Sequence, residues 1–90
     1  MTEKSKTDEK KAFAKRLTKA IEAAEYEPRP SVVEQHFNQR YWGNPVSFQG
    51  VRRWLQGDSI PEQDKLIILA EWLGVEAHEL RYGVKGKESP

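Results

Sequence analysis

Residues 46–57 read V-S-F-Q-G-V-R-R-W-L-Q-G, and the rest of the chain is organised around them. Ser47 stands before the segment's apolar positions and a glycine ends it, which is typical of the N-cap and C-cap of a helix. Val51, Trp54 and Leu55 recur at helical spacing, and the polar and cationic residues fall between them. The stretch therefore predicts a short third helix with one anchoring face and one cationic face.

Two helices are expected before this segment. A first helix over about residues 8–26 is indicated by apolar residues at helical spacing, namely Phe13, Leu17, Ala20, Ile21 and Ala24. A proline-rich connector follows, and Ser31 is the expected N-cap of a second helix that runs to about Tyr41. Gly43 is suited to a left-handed cap after it. The connection to the third helix, residues 38–45, is long and aromatic.

Two more helices are expected after the segment. Pro61 and the acids that follow it are typical of a helix start, and Gly74 of a helix end. Between them lies an apolar stripe of Leu66, Leu69, Ala70 and Leu73. A last short segment would close the core with Leu80. We therefore predict an all-α, compact five-helix domain over residues 8–82, with a flexible N-terminal arm over 1–7 and a flexible C-terminal tail over 83–90.

Composition argues against several functional classes. Ninety residues suffice for one small core, and no apolar run approaches the roughly 20 residues of a membrane span. The chain has no cysteine, so a disulfide framework, a thiolate nucleophile and a cysteine zinc site are excluded. His36 and His78 are isolated, and no metal motif or glycine-rich phosphate loop is present. We expect no catalysis, no metal and no cofactor, and a cytoplasmic location.

Charge is polarised along the sequence although the net charge is only +1. Residues 29–57 contain four arginines and one acid, Glu34, which gives +3. Residues 58–82 contain six acids against Lys65 and Arg81, which gives −4. Because charges are screened beyond a Debye length of about 10 Å, local clustering decides how a polyanion is bound. The basic segment is therefore the place to look for a polyanion site.

The order R-R-W-L-x-G and then P-x-x-x-x-L-x-x-L-A-x-x-L-G-V resembles the lambda-repressor-like helix-turn-helix domain of XRE-type transcriptional regulators. The resemblance covers about residues 13–82 and is most specific over 46–75. It implies sequence-specific binding of double-stranded DNA by a small regulator, commonly a two-fold homodimer, with the third helix in the major groove. The chain departs from the family at residues 38–45, where relatives have a tight turn. We expect a longer second helix or a bulged loop that places Arg40 or Tyr41 on a DNA backbone.

Candidate base contacts lie on the third helix. By similarity to the family, Phe48, Gln49 and Gly50 hold leading positions that face bases, and Arg52 lies one turn further on; Arg53 beside it is also a candidate. Glutamine pairs with adenine, arginine with guanine, and a phenyl ring can contact a thymine methyl. Two alternatives stay open. Phe48 has the spacing of a core residue, and surface arginines are usually only solvated.

Candidate phosphate contacts combine helix N-termini, where the dipole is positive, with cationic and amide side chains. They are Arg29, Ser31, Gln35, Arg40, Ser47 and Gln56. For the two serines, plain helix capping without DNA explains the sequence equally well. Bound to DNA, the protein would be associated with the nucleoid.

A second function from another class also fits the sequence. A protein-interaction module of the same fold, such as an adaptor or an antitoxin-like partner, would use the acidic residues from 58 onward against a basic protein. Candidate residues for a homodimer interface are Trp72, Val75, Leu80 and Tyr82, each of which also has the spacing of a core residue. No small-molecule effector is expected, because the length leaves no room for an effector domain.

Overall fold

The computed structural model describes residues 6–83, which form five helices and no strand. The helices are α1 (Lys6–Ala23), α2 (Pro30–Arg40), α3 (Phe48–Gln56), α4 (Gln63–Leu73) and α5 (Ala77–Tyr82). The predicted all-α, five-helix class is confirmed. Helix α1 begins two residues before the predicted position, at Lys6, with Asp8 and Glu9 in its first turn, where acids favour a helix start. The rest of the expected arm and the tail from residue 84 lie outside the described residues.

The core is formed where α1 packs against α3 and α5, while α2 packs against α3 and α4. Every helix contributes buried apolar side chains at helical spacing. The central ones are Phe13, Leu17 and Ile21 from α1, Val33 and Phe37 from α2, Val51 and Trp54 from α3, Leu66, Leu69 and Leu73 from α4, and Leu80 from α5. Burying each large side chain stabilises the fold by about 1.5–3 kcal/mol, so this cluster fixes how α3 is presented.

Both ends of α3 are capped as the sequence predicts. The Ser47 hydroxyl oxygen accepts a hydrogen bond from the Gly50 amide at 3.1 Å. Gly57 ends the helix in the left-handed conformation with φ 86°, and its Cα lies against Lys11 of α1. A Cβ at this position would stand 3.1 Å from the Lys11 Cα. The glycine therefore both ends α3 and allows it to approach α1.

The predicted caps of α2 were wrong. Its N-cap is Arg29 in an extended conformation, and Pro30 is the first helical residue, so Ser31 lies one position inside the helix. Proline suits this position because its φ is already helical and the helix needs no N–H there. At the other end Tyr41 is the cap and is extended, whereas Gly43 does not have a positive φ. The backbone therefore leaves α2 in an extended conformation at Tyr41, and no left-handed glycine ends the helix.

Candidate nucleic-acid interface

Helix α3 separates its apolar and polar side chains onto two faces. Val51 and Trp54 are buried, while Gln49, Arg52 and Arg53 are exposed. Phe48 is 45% exposed and lies outside the core cluster, so the interpretation of this residue as a core position was wrong. The core stripe of α3 starts at Val51, and Val46 of the preceding connection is partly buried against the core.

The exposed side chains of α3 form one patch. Gln49 precedes Arg52 by three residues and Arg53 by four, so both arginines lie one turn beyond the glutamine. Helix α3 contains no acidic residue, and among residues 8–83 no carboxylate forms an ion pair with Arg52 or Arg53. Two guanidinium groups, an amide and a phenyl ring are thus presented to solvent together. Such a patch can donate bidentate hydrogen bonds to an anion or a base edge.

The connection between α2 and α3 is held at its α3 end by Asn38. The side-chain amide of Asn38 donates to the Val46 carbonyl at 3.1 Å, and its oxygen accepts from the Val46 amide at 2.9 Å. Gly50 supports the same contact, because a Cβ there would lie 3.2 Å from Val46 Cγ1. The start of α3 is therefore fixed to α2 despite the long connection.

Tyr41 holds the other end of the connection. Its ring packs against Phe37 with centroids 5.0 Å apart, and its hydroxyl donates to the Asp64 carboxylate of α4 at 2.7 Å. This hydrogen bond raises the pKa of Tyr41 and lowers the pKa of Asp64. The two shifts agree, since each favours the neutral phenol beside the ionised carboxylate. The second helix is not extended, since α2 ends at Arg40, and the Tyr41 hydroxyl is hydrogen-bonded to α4.

The remaining arginines of the basic segment have partners within the chain. Arg29 Nε lies 3.3 Å from Glu27 Oε1, with both side chains about two-thirds exposed. Arg40 Nη1 donates to the His36 carbonyl at 2.9 Å, at the end of α2. An exposed ion pair contributes at most about 1 kcal/mol, so Arg29 can exchange Glu27 for another anion.

The other predicted phosphate contacts divide between two places. Ser31 and Gln35 are exposed on the first half of α2, and Ser47 is exposed at the start of α3. The Ser47 oxygen accepts a hydrogen bond, so its O–H is still available as a donor. Gln56 lies at the opposite end of α3, in a groove against α1. It is therefore separated from the start of the helix by the whole length of α3, about 14 Å along the axis.

Three features were missed from the sequence. The groove beside Gln56, with a volume of about 580 Å³, is lined by a row of α1 lysines, Lys11, Lys15 and Lys19. Tyr26, His36 and Trp72 form an aromatic cluster in which the last two rings stack at 5.3 Å. Trp42 is 93% exposed at the tip of the connection. The four-residue spacing of the lysines on α1 is a signal that could have indicated the row. The aromatic cluster joins residues far apart in the sequence, and no local pattern indicates the exposure of Trp42.

Comparison with protein-family models, curated proteins and solved structures returned no match. Within residues 6–83 no helix has both the length and the apolar character needed to cross a membrane. The same part of the chain holds no cluster of three or more residues suited to bind a metal ion. A functional proposal therefore depends on the geometry and charge of the described surface.

Proposed function

We propose that the chain binds double-stranded DNA sequence-specifically as a small XRE-type transcriptional regulator, with α3 in the major groove. The observation that carries the proposal is the exposed, acid-free face of α3, which presents Phe48, Gln49, Arg52 and Arg53 while Val51 and Trp54 anchor the helix. An α-helix with its side chains is about 10–12 Å across, which suits a groove about 12 Å wide. Its capped start is fixed to α2 by Asn38.

Each exposed group of α3 has a matching feature on a base edge. The Gln49 amide can pair with adenine N6 and N7, an arginine can pair with guanine O6 and N7, and Phe48 can cover a thymine methyl. Arg52 and Arg53 point about 100° apart, so one is directed to bases and the other to a backbone. Arg29, Ser31, Gln35 and Ser47 provide phosphate contacts from the starts of α2 and α3, and Arg40 from the end of α2.

Two-fold dimers on pseudo-palindromic sites complete the proposal. Of the four candidate interface residues, Trp72 and Leu80 belong to the core, whereas Val75 and Tyr82 are exposed. Val75 and Tyr82 are therefore the two candidates that remain available for contact between copies of the chain. A cytoplasmic, nucleoid-associated location and the absence of an effector belong to the same proposal.

Selection of bound sequences from a random duplex pool tests the role of α3. We expect the wild-type protein to enrich one motif, and Gln49→Ala to lose preference at an adenine position by roughly 1–3 kcal/mol. Arg29→Ala should weaken binding to all sequences alike, because phosphate contacts carry no base information. Gln63→Ala, an exposed glutamine on α4, is the matched control and should enrich the wild-type motif. If Gln49→Ala and Arg52→Ala both select the wild-type motif, α3 does not read the sequence.

A protein-interaction module remains the second candidate, and one observation favours it. The outer surface of α4 exposes acids beside an apolar side chain, with Asp64 and Glu71 on either side of Ile67, which is 41% exposed. Such a surface would suit a basic, amphipathic partner. This function predicts no affinity for duplex DNA at low salt and loss of partner binding in Ile67→Asp.

A further inference from the structure

The connection between α2 and α3 presents an exposed tryptophan from a segment that is fixed at both ends. Tryptophan is highly buried on average, yet Trp42 is 93% exposed. Directly before it, Tyr41 packs against Phe37 and donates a hydrogen bond to Asp64. At the far end of the connection, Val46 is hydrogen-bonded to Asn38. The segment around Trp42 is therefore held in place on both sides, and the Trp42 indole takes no part in the core.

Gly43 shows how closely the backbone after Trp42 approaches the Tyr41 side chain. A Cβ at residue 43 would lie 2.7–2.8 Å from atoms of the Tyr41 ring, a distance that real side chains do not adopt. The chain thus folds back over Tyr41 immediately after Trp42. One aromatic side chain of the pair is held against the protein, and the other is left in solvent.

The surroundings of Trp42 favour an anionic ligand that also presents flat aromatic rings. Arg40 lies two residues before Trp42, and the acid-free face of α3 follows the connection. Five residues of chain span at most about 18 Å, so the Trp42 Cα lies within that distance of Ser47, the N-cap of α3. That upper limit is similar to half of a DNA helical turn, which separates a major groove from the neighbouring minor groove.

We propose that Trp42 is a second DNA contact, whose indole inserts against base edges in the minor groove beside the major groove that α3 occupies. The inference rests on the proposed DNA binding of α3. Apolar side chains used in this way partly unstack a base step, and aromatic contact with bases adds affinity without neutralising a phosphate. Trp42 therefore adds a contact that does not depend on counterion release.

Acrylamide quenching of tryptophan emission tests the contact directly. The chain has three tryptophans, and Trp54 and Trp72 are only 5% and 8% exposed, so Trp42 dominates quenching by this neutral molecule. We expect a saturating mixed duplex to lower the Stern–Volmer constant of the wild-type protein several-fold. In Trp42→Phe the constant should be low with and without DNA, because only the buried tryptophans emit.

Affinity measurements provide the second test. Trp42→Ala should weaken duplex binding about tenfold and leave the slope of log K against log salt unchanged, whereas Arg29→Ala, which removes a proposed phosphate contact, should change that slope. Ile67→Ala, which truncates an exposed apolar side chain of α4, is the matched control and should bind as wild type. Circular dichroism should show all three variants folded.

The outcomes separate the inference from the proposed function. DNA binding with unchanged quenching of Trp42, or with wild-type affinity in Trp42→Ala, overturns the inference and leaves the role of α3 standing. Quenching that falls with protein concentration in the absence of DNA also overturns it, since Trp42 would then lie between copies of the chain. Failure of the wild-type protein to bind any duplex at low salt overturns both.

Discussion

Gly57 and Gly74 are two glycines in the same left-handed conformation with different surroundings. Their φ values are 86° and 73°, and each ends a helix. A Cβ at Gly57 would lie 3.0 Å from Lys11 Cγ and 3.1 Å from its Cα, whereas nothing lies within 4 Å of a Cβ at Gly74. Gly74→Ala should therefore lower the free energy of unfolding by about 1 kcal/mol, and Gly57→Ala by roughly 2–3 kcal/mol. Urea denaturation of the two variants checks the order, and equal losses would contradict the close contact with α1.

Single residues also show the limits of prediction from the sequence. The caps at Ser47 and Gly57 could be predicted, because each acts on its own helix end and needs no distant partner. Phe48 could not, since three-residue spacing from Val51 fits a core stripe and an exposed face equally well. In the fold Val51 and Trp54 fill the core from α3, and Phe48 is left 45% exposed.

At the scale of elements, the hydrogen bond from Tyr41 to Asp64 ties the α2–α3 connection to α4. The lowered pKa of Asp64 means that its contribution to stability is present above its ordinary pKa of 3.8 and is lost as pH falls through the lowered value. The raised pKa of Tyr41 means that its contribution is present below its ordinary pKa of 10.0 and is lost as pH rises beyond it. The hydrogen bond therefore stabilises the fold fully only between those two values.

Tyr41→Phe should reduce this pH dependence. We expect the Asp64 pKa to return toward 3.8, because its largest cause, the tyrosine hydroxyl, is removed. Carboxyl titration by NMR measures the change, and Tyr82→Phe, which alters an exposed tyrosine on α5, is the control. An Asp64 pKa that stays low in Tyr41→Phe would contradict the assignment of its cause.

The helices themselves could be predicted from the sequence more fully than the connection could. Apolar spacing locates the core face of each helix without knowledge of the others. The connection is held by side chains that meet across 8 residues from Asn38 to Val46 and across 23 from Tyr41 to Asp64, and no local pattern indicates such pairs. The prediction for the start of α2 was wrong for a local reason. Pro30 is the first helical residue and Arg29 is the N-cap, so Ser31 does not cap the helix.

At the scale of the whole molecule, charge is divided between two surfaces. The acid-free α3 and the arginines at the two ends of α2 belong to the basic segment, while Glu71 on α4, Glu76 at the N-cap of α5 and Glu79 on α5 are exposed acids. The acidic helices disfavour a second approach to a polyanion, so duplex DNA should bind in one orientation. The sequence predicts this division, but only the packing of α3 on α1 and α2 shows which side chains remain exposed.

The central claim is that the exposed face of α3 binds duplex DNA, and fluorescence anisotropy of a labelled mixed duplex across a salt series measures it most directly. We predict binding at low salt that weakens steeply as salt rises, with a slope of about −0.9 for each phosphate neutralised. The double variant Arg52→Ala, Arg53→Ala should bind more weakly with a slope smaller by roughly 1 to 2. No binding at low salt, or a double variant with the affinity and slope of the wild-type protein, would contradict the claim.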